Sequence, residues 1–340
     1  MMKGRVERGE MSKKKQELTP DIVLKNYWNN NEQFADLFNA TLFGGEQIIK
    51  ADELEDVDTE ESMILAHKKY AESIKASRDN IKIRKKSTVL GVEFVLLGLE
   101  SQEHIHYAMP MRVMGYDYAT YKKQYNSNAQ KYKNSEGLSE DEYLSRMKKT
   151  DKFIPVITVV VYYGEKEWDG AKSLHGMLKI PEKMTKYVND YKILLVEAKD
   201  NKLILHNENN KDLFNLLEIL LNTEMSRHEV KEKAIQYSEE HNPEKVVVMT
   251  VAGATNTKLD YDSFAKGDGR MCTVFEEIAK ESEARGEARG EARGRAIEII
   301  ETGLEFGLSE SDILTRLQKK LDLSLQVAQE YLEMFGKQIV

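Results

Sequence analysis

The chain has 340 residues, 41% of them apolar and 32% charged, and its 58 acids against 50 bases leave a net charge of −8. That balance excludes a surface coated throughout for nucleic acid, while local basic patches stay open. One cysteine, Cys272, excludes an intrachain disulfide framework and any multi-cysteine zinc or iron-sulfur centre. The lack of any run of about 18 apolar residues excludes a spanning helix and leads us to expect a cytoplasmic protein.

The polar residues 1–20 read as a disordered leader. From Asp21 the apolar residues Val23, Leu24, Tyr27, Trp28, Phe34, Leu37, Phe38 and Leu42 recur at helical steps until Gly44 and Gly45 stop the pattern. An acidic connection over 46–62 leads to a second expected helix from Glu61 to about Ser77. After Asp79 short β-branched runs predict adjacent strands, the second of them, Val92 to Leu99, apolar enough to be buried on both faces. A helix is predicted from about Met111 to Tyr132 and a charged loop to Lys152. Strands are expected at Pro155–Tyr163, Lys192–Glu197 and Lys202–His206, and helices at 212–221 and 226–240. The unit 21–241 therefore reads as α/β, a mixed sheet flanked by helices.

Residues 242–280 read as a bridge followed by a helix from Met271. Then EARG occurs three times from Glu283 to Gly294. On a helix this spacing stacks like charges at i,i+4, at about 0.2–0.5 kcal/mol per pair, and each glycine adds roughly 1 kcal/mol, so the segment is expected to bend or to take a partner. The remainder to Val340 shows short amphipathic helices with Ser309 as a cap. We read 281–340 as a small helical accessory segment that pairs protomers into a homo-oligomer.

Chemistry concentrates between Asp79 and Gln124. Along a strand, Glu100 and Gln102 project to one face where the apolar run ends, and Asp79 comes beside them if the two strands form a hairpin through the RKKST turn. Two carboxylates and an amide oxygen suit a hard cation, Mg²⁺ or alternatively Mn²⁺, and hence metal-assisted phosphodiester cleavage. The competing reading is that both acids are merely solvated. Between Lys75 and Lys152 there are 15 Lys and Arg against 10 Asp and Glu, a local net of +5 that leaves −13 to the rest. Arg112 can fork onto a phosphate, and Tyr116, Tyr118, Tyr121, Lys122, Lys123 and Gln124 interleave cations with aromatics as a DNA-binding surface would. The same pattern also suits a solvated helix with tyrosines packed under lysine stems. His104 and His106 extend the alternation to E-x-Q-x-H-x-H, which either adds imidazole ligands or marks the end of the strand. Trp168 reads as a packing anchor or a stacking platform.

The runs S-R-D-N-I-K-I, G-L-E-S-Q and Y-A-M-P-M-R-V-M-G-Y-D-Y-A-T-Y-K-K-Q resemble the Rpn family of recombination-promoting nucleases and putative transposases, a branch of the PD-(D/E)XK nuclease superfamily. N-E-Q-F-A-D-L-F-N and V-V-V-Y-Y-G-E-K-E-W-D-G are similar to it too. The resemblance implies a restriction-endonuclease-like core that cuts DNA with Mg²⁺. The first acid would fall on Asp79 and the second on Glu100, with Gln102 at the usual lysine position. It also implies an auxiliary acid from the first helix, for which Asp36 and Glu32 are the candidates. A neutral Gln102 can hydrogen-bond or offer its carbonyl, but it cannot supply the lysine's charge. A catalytically silent DNA-binding or protein-interaction module is therefore the alternative.

Overall fold

The computed structural model describes residues 18–56, 60–67, 70–77, 80–84, 95–102, 104–133, 135–200, 202–257, 259–265, 271–321, 323 and 325–336. Asp79, most of the expected leader and all of the RKKST turn after Arg84 lie outside them, as do the side chains of Glu100 and Gln102. The chain divides into two compact units at Phe275 and Glu276.

The first unit begins with α1 (Pro20–Trp28) and α2 (Asn31–Phe43). The sequence suggested one helix here. Asn30 makes it two, because its side chain accepts from the N–H groups of Glu32 and Gln33 and so starts a new helix. Gly44, in the left-handed conformation, ends α2. Then come β1 (Leu54–Asp56), β2 (Glu60–His67), β3 (Tyr70–Ser77), β4 (Asn80–Arg84), β5 (Val95–Gln102) and α3 (Met109–Tyr132). After these lie α4 (Glu140–Ser145), β6 (Val156–Tyr162), β7 (Leu194–Glu197), α5 (Glu208–Leu220), α6 (Arg227–His241), α7 (Lys245–Ala254) and α8 (Tyr261–Ala265).

The fold class is α/β. Five strands form a mixed sheet in the order β1-β4-β5-β6-β7. The pairs β1/β4 and β4/β5 are antiparallel, whereas β5/β6 and β6/β7 are parallel. The parallel step from β5 to β6 is made through α3, as a crossover helix must do to bring the chain back to the same end of the sheet. Strand β6 shows how the layers form. Thr158, Val160 and Tyr162 pack toward α3, with Val160 and Tyr162 in one apolar cluster with Met109 and Val113. On the other face, just past the strand, the Tyr163 hydroxyl accepts from Trp28 Nε1 of α1 at 2.8 Å. The helical layer holds the largest buried side chains, among them Trp28, Tyr27, Phe34, Phe38 and Phe214. Each contributes about 1.5–3 kcal/mol through its burial.

Three expectations need correction. The helix expected over 61–77 is instead an antiparallel pair, β2 with β3, from Glu60↔Ser77 to His67↔Tyr70. Its apolar run, Met63–Ala66, is too short for periodicity to separate strand from helix. The strand expected at 202–206 has no ladder partner, and the segment runs irregularly into α5. The boundary expected at His241 falls at Phe275, because α7 packs on α1 and α5 with Val247, Val248 and Val251 fully buried.

In the second unit the helix α9 (Met271–Glu305), which crosses the boundary, runs unbroken through all three EARG repeats. It is followed by α10 (Glu310–Leu321) and α11 (Leu325–Gly336). Ala296, Ile300, Ile313, Leu317, Ala328 and Phe335 form its core. A side chain at Gly303 would come within 2.7 Å of Ile313 Cγ1, so glycine is what lets α9 and α10 approach here.

Candidate functional site

The last paired residues of β4 and β5 are Asn80 and Leu99. Cα atoms paired in this way lie about 5 Å apart, so the chain enters β4 beside the point where β5 continues to Glu100. Glu100 and Gln102 are then register partners of Val160 and Tyr162 on β6. Both of those β6 residues belong to the cluster under α3. The carboxyl ends of β5, β6 and β7 thus lie together beside the start of α3, and in open α/β sheets this edge is where ligands bind.

Helix α3 begins without a side-chain cap at Ala108, and its first turn holds no acid. Arg112 follows in that turn. Its Nε donates to the Tyr116 hydroxyl, and its guanidinium lies 5.6 Å from that ring's centroid, so two residues named from the sequence are brought together. Tyr116 is buried. It positions Arg112 from beneath, as the i,i+4 spacing allows. Lys122 stacks its ammonium on Tyr125 at 4.6 Å, and Lys123 is exposed. Gln124 is engaged at both ends of its amide with Ile154, accepting from the N–H at 2.7 Å and donating to the carbonyl at 3.0 Å.

Asp36 is buried. Its two oxygens accept from the His206 N–H at 2.8 Å and from Asn210 Nδ2 at 2.9 Å, and these bonds link α2 to the approach of α5. Glu32 is exposed on the first turn of α2. Among the described residues no three His, Cys, Asp or Glu side chains lie close enough to hold a metal ion. Strand β5 ends at Gln102, which leaves His104 and His106 in the irregular segment before α3 and off the strand alternation.

Sequence reasoning missed Asp117. This carboxylate is buried on α3 and accepts from the Thr158 hydroxyl at 2.6 Å and from the Tyr191 hydroxyl. Its signal was legible, because positions 109, 113, 117 and 120 share one helical face and 117 is the acid on it. Tyr162 was missed as well. The Trp168 ring meets it edge-on at 5.1 Å, and Trp168 N donates to Glu197 Oε2 at 3.0 Å, so β7 fixes the indole that fixes the phenol. Burial, followed by the nearby Glu197 charge, pushes the Tyr162 hydroxyl up to about 12, so it remains a proton donor across the physiological range. Trp168 therefore acts as a packing anchor here. Its Nε1 and His106 Nδ1 are buried without a hydrogen-bond partner.

Among the described residues no helix is long and apolar enough to cross a membrane. Comparison of the chain with protein-family models, curated proteins and solved structures finds no match.

Proposed function

We propose that the chain is a cytoplasmic Mg²⁺-dependent DNA endonuclease of the recombination-promoting, transposase-like type, built on a restriction-endonuclease-like core and hydrolysing phosphodiesters with low sequence specificity. One observation carries the reading. The β4/β5 register ends at Asn80 and Leu99, and the residues flanking that pair in sequence are the two acids, Asp79 and Glu100. Their carboxylates and the Gln102 carbonyl are hard oxygen donors, the set a small divalent cation takes with water and phosphate oxygens. Asp79 and Glu100 would hold the ion and Gln102 would orient the attacking water. A bound Mg²⁺, or Mn²⁺, supplies charge neutralisation at the phosphate and a more acidic water. Arg112, braced by Tyr116, would grip the DNA backbone from the first turn of α3, with Lys122 and Lys123 further along. Gln124 would hold that part of α3 in place through Ile154. Contacts of this kind position the strand without reading its bases, so affinity should fall steeply with salt.

A second reading, a catalytically silent DNA-binding or protein-interaction module, is favoured by Gln102 standing where a lysine is usual. Supercoiled plasmid separates the two. Nicking with Mg²⁺ that EDTA, Asp79→Ala and Glu100→Ala each abolish supports the nuclease. Equal nicking by the variants rejects the site, and binding without cleavage under Mg²⁺ and Mn²⁺ supports the silent module.

A further inference from the structure

Glycine in a helix interior costs stability relative to alanine and leaves room beside the backbone for an incoming group. Gly115 lies inside α3, and a side chain built at it would meet nothing within 4 Å. Its neighbours on the same face are Met111 and Tyr118, 54% and 50% exposed, with Tyr107, 52% exposed, just before the helix. Lys122 follows one turn beyond Tyr118. Positions 107, 111, 115, 118 and 122 are three or four apart, the spacing of a single helical stripe, and the part from Met111 to Lys122 runs for about 16 Å.

The charge along this helix is one-sided. Arg112, Lys122, Lys123 and Lys131 are its bases, and its one acid, Asp117, is buried. The outer surface of α3 therefore offers two exposed apolar side chains around a gap, flanked by cations and with no exposed carboxylate of the helix's own. That complements a flexible polyanion with flat apolar faces. An intact duplex presents the phosphates but keeps its bases stacked within, whereas a single strand presents both.

We propose that this face of α3 binds a single strand of DNA, with a base stacked on Tyr118, the Gly115 gap receiving its neighbour, and Lys122 and Lys123 meeting the phosphates. The choice of DNA rests on the nuclease reading, and the proposal specifies its substrate as an unpaired strand or frayed end.

The test is fluorescence anisotropy of a labelled oligothymidylate with the full chain in EDTA, against the same strand annealed to its complement and against oligouridylate. Loss of one stacked base should weaken single-strand binding by Tyr118→Ala by about tenfold, while Tyr118→Phe, which keeps the ring, stays within about twofold of the parent. Gly115→Leu, which fills the gap, should weaken it as well. Duplex affinity should not respond to either position. The proposal is overturned if Tyr118→Ala or Gly115→Leu binds the strand as the parent does, or if the duplex or the oligouridylate binds more tightly than the DNA strand. Its failure is separable from that of the nuclease reading. If Tyr118→Ala releases the strand and no cleavage occurs, the nuclease reading fails and this one stands. If cleavage depends on Asp79 and Glu100 while Tyr118→Ala binds normally, the reverse holds.

Discussion

Asn210 joins three elements and is fully buried. Its Oδ1 accepts from the Tyr27 hydroxyl at 2.9 Å, and its Nδ2 donates to the Gln33 carbonyl at 2.8 Å and to Asp36 Oδ2 at 2.9 Å. Asn210→Ala removes all three bonds at once. It leaves a buried phenol and a buried carbonyl without these partners and takes one of two donors from a buried carboxylate. Losses of about 1–3 kcal/mol for each neutral group, and somewhat more for the charged one, do not add in full, and we expect a total near 4 kcal/mol. Against a typical stability of roughly 5–15 kcal/mol this is a large fraction. Tyr27→Phe removes only the first bond and should cost about 1–2 kcal/mol. Urea unfolding of the parent and both variants, followed by circular dichroism, reads the difference. An Asn210→Ala cost below about 1 kcal/mol, or no greater than that of Tyr27→Phe, would refute the view that this amide ties the helical layer together.

Other expectations follow from single positions. Tyr162 ionises near 10.0 when unfolded and near 12 when folded, so its contribution is fully present below pH 10 and is lost as pH rises to about 12. Stability therefore falls with pH across that window. Tyr162→Phe should flatten this part of the stability-versus-pH curve, and an unchanged slope would contradict the shift. Gly164→Ala would set a methyl 2.0 Å from the Tyr162 hydroxyl, so its melting temperature should fall by several degrees; a parental value would show that the phenol moves aside freely. Gly115→Ala, with open space around it, should instead add about 0.5–1 kcal/mol of stability, and a destabilised protein would mean that α3 is not helical there. If the tail pairs protomers, deletion from Glu281 onward lowers the mass measured by light scattering, and an unchanged mass removes that role.

The sequence made β6, β7, α5, α6 and the bounds of α3 legible because each is governed by a local rule. The apolar run 156–162 is flanked by breakers, Ser226 and Glu229 form a capping box, and α3 keeps one face apolar. Tertiary context decided the rest. Lys245–Ala254 is rich in β-branched residues that disfavour a lone helix, yet it is helical because Val247, Val248 and Val251 fill the gap between α1 and α5. The 202–206 run had strand composition, but the His206 N–H goes to Asp36 and not to a ladder. At the site, Arg112 and Tyr116 were legible as a helical pair. The partners of Asp117 and Trp168 were not, because Thr158, Tyr191 and Glu197 lie 29 to 74 positions away in the chain, a separation that no local pattern bridges.

The tie between Trp28 and Tyr163 has a practical use. The chain contains only two tryptophans, Trp28 and Trp168, and both are buried. One is bonded to the end of β6 from the α1 side, and the other packs on the cluster beneath α3. The unlabelled protein thus carries two optical reporters on opposite sides of a single sheet. Replacing either indole with phenylalanine leaves the other as the single tryptophan, excited apart from the 16 tyrosines at the red edge of the absorption, so loosening at the strand ends can be followed apart from melting of the helices.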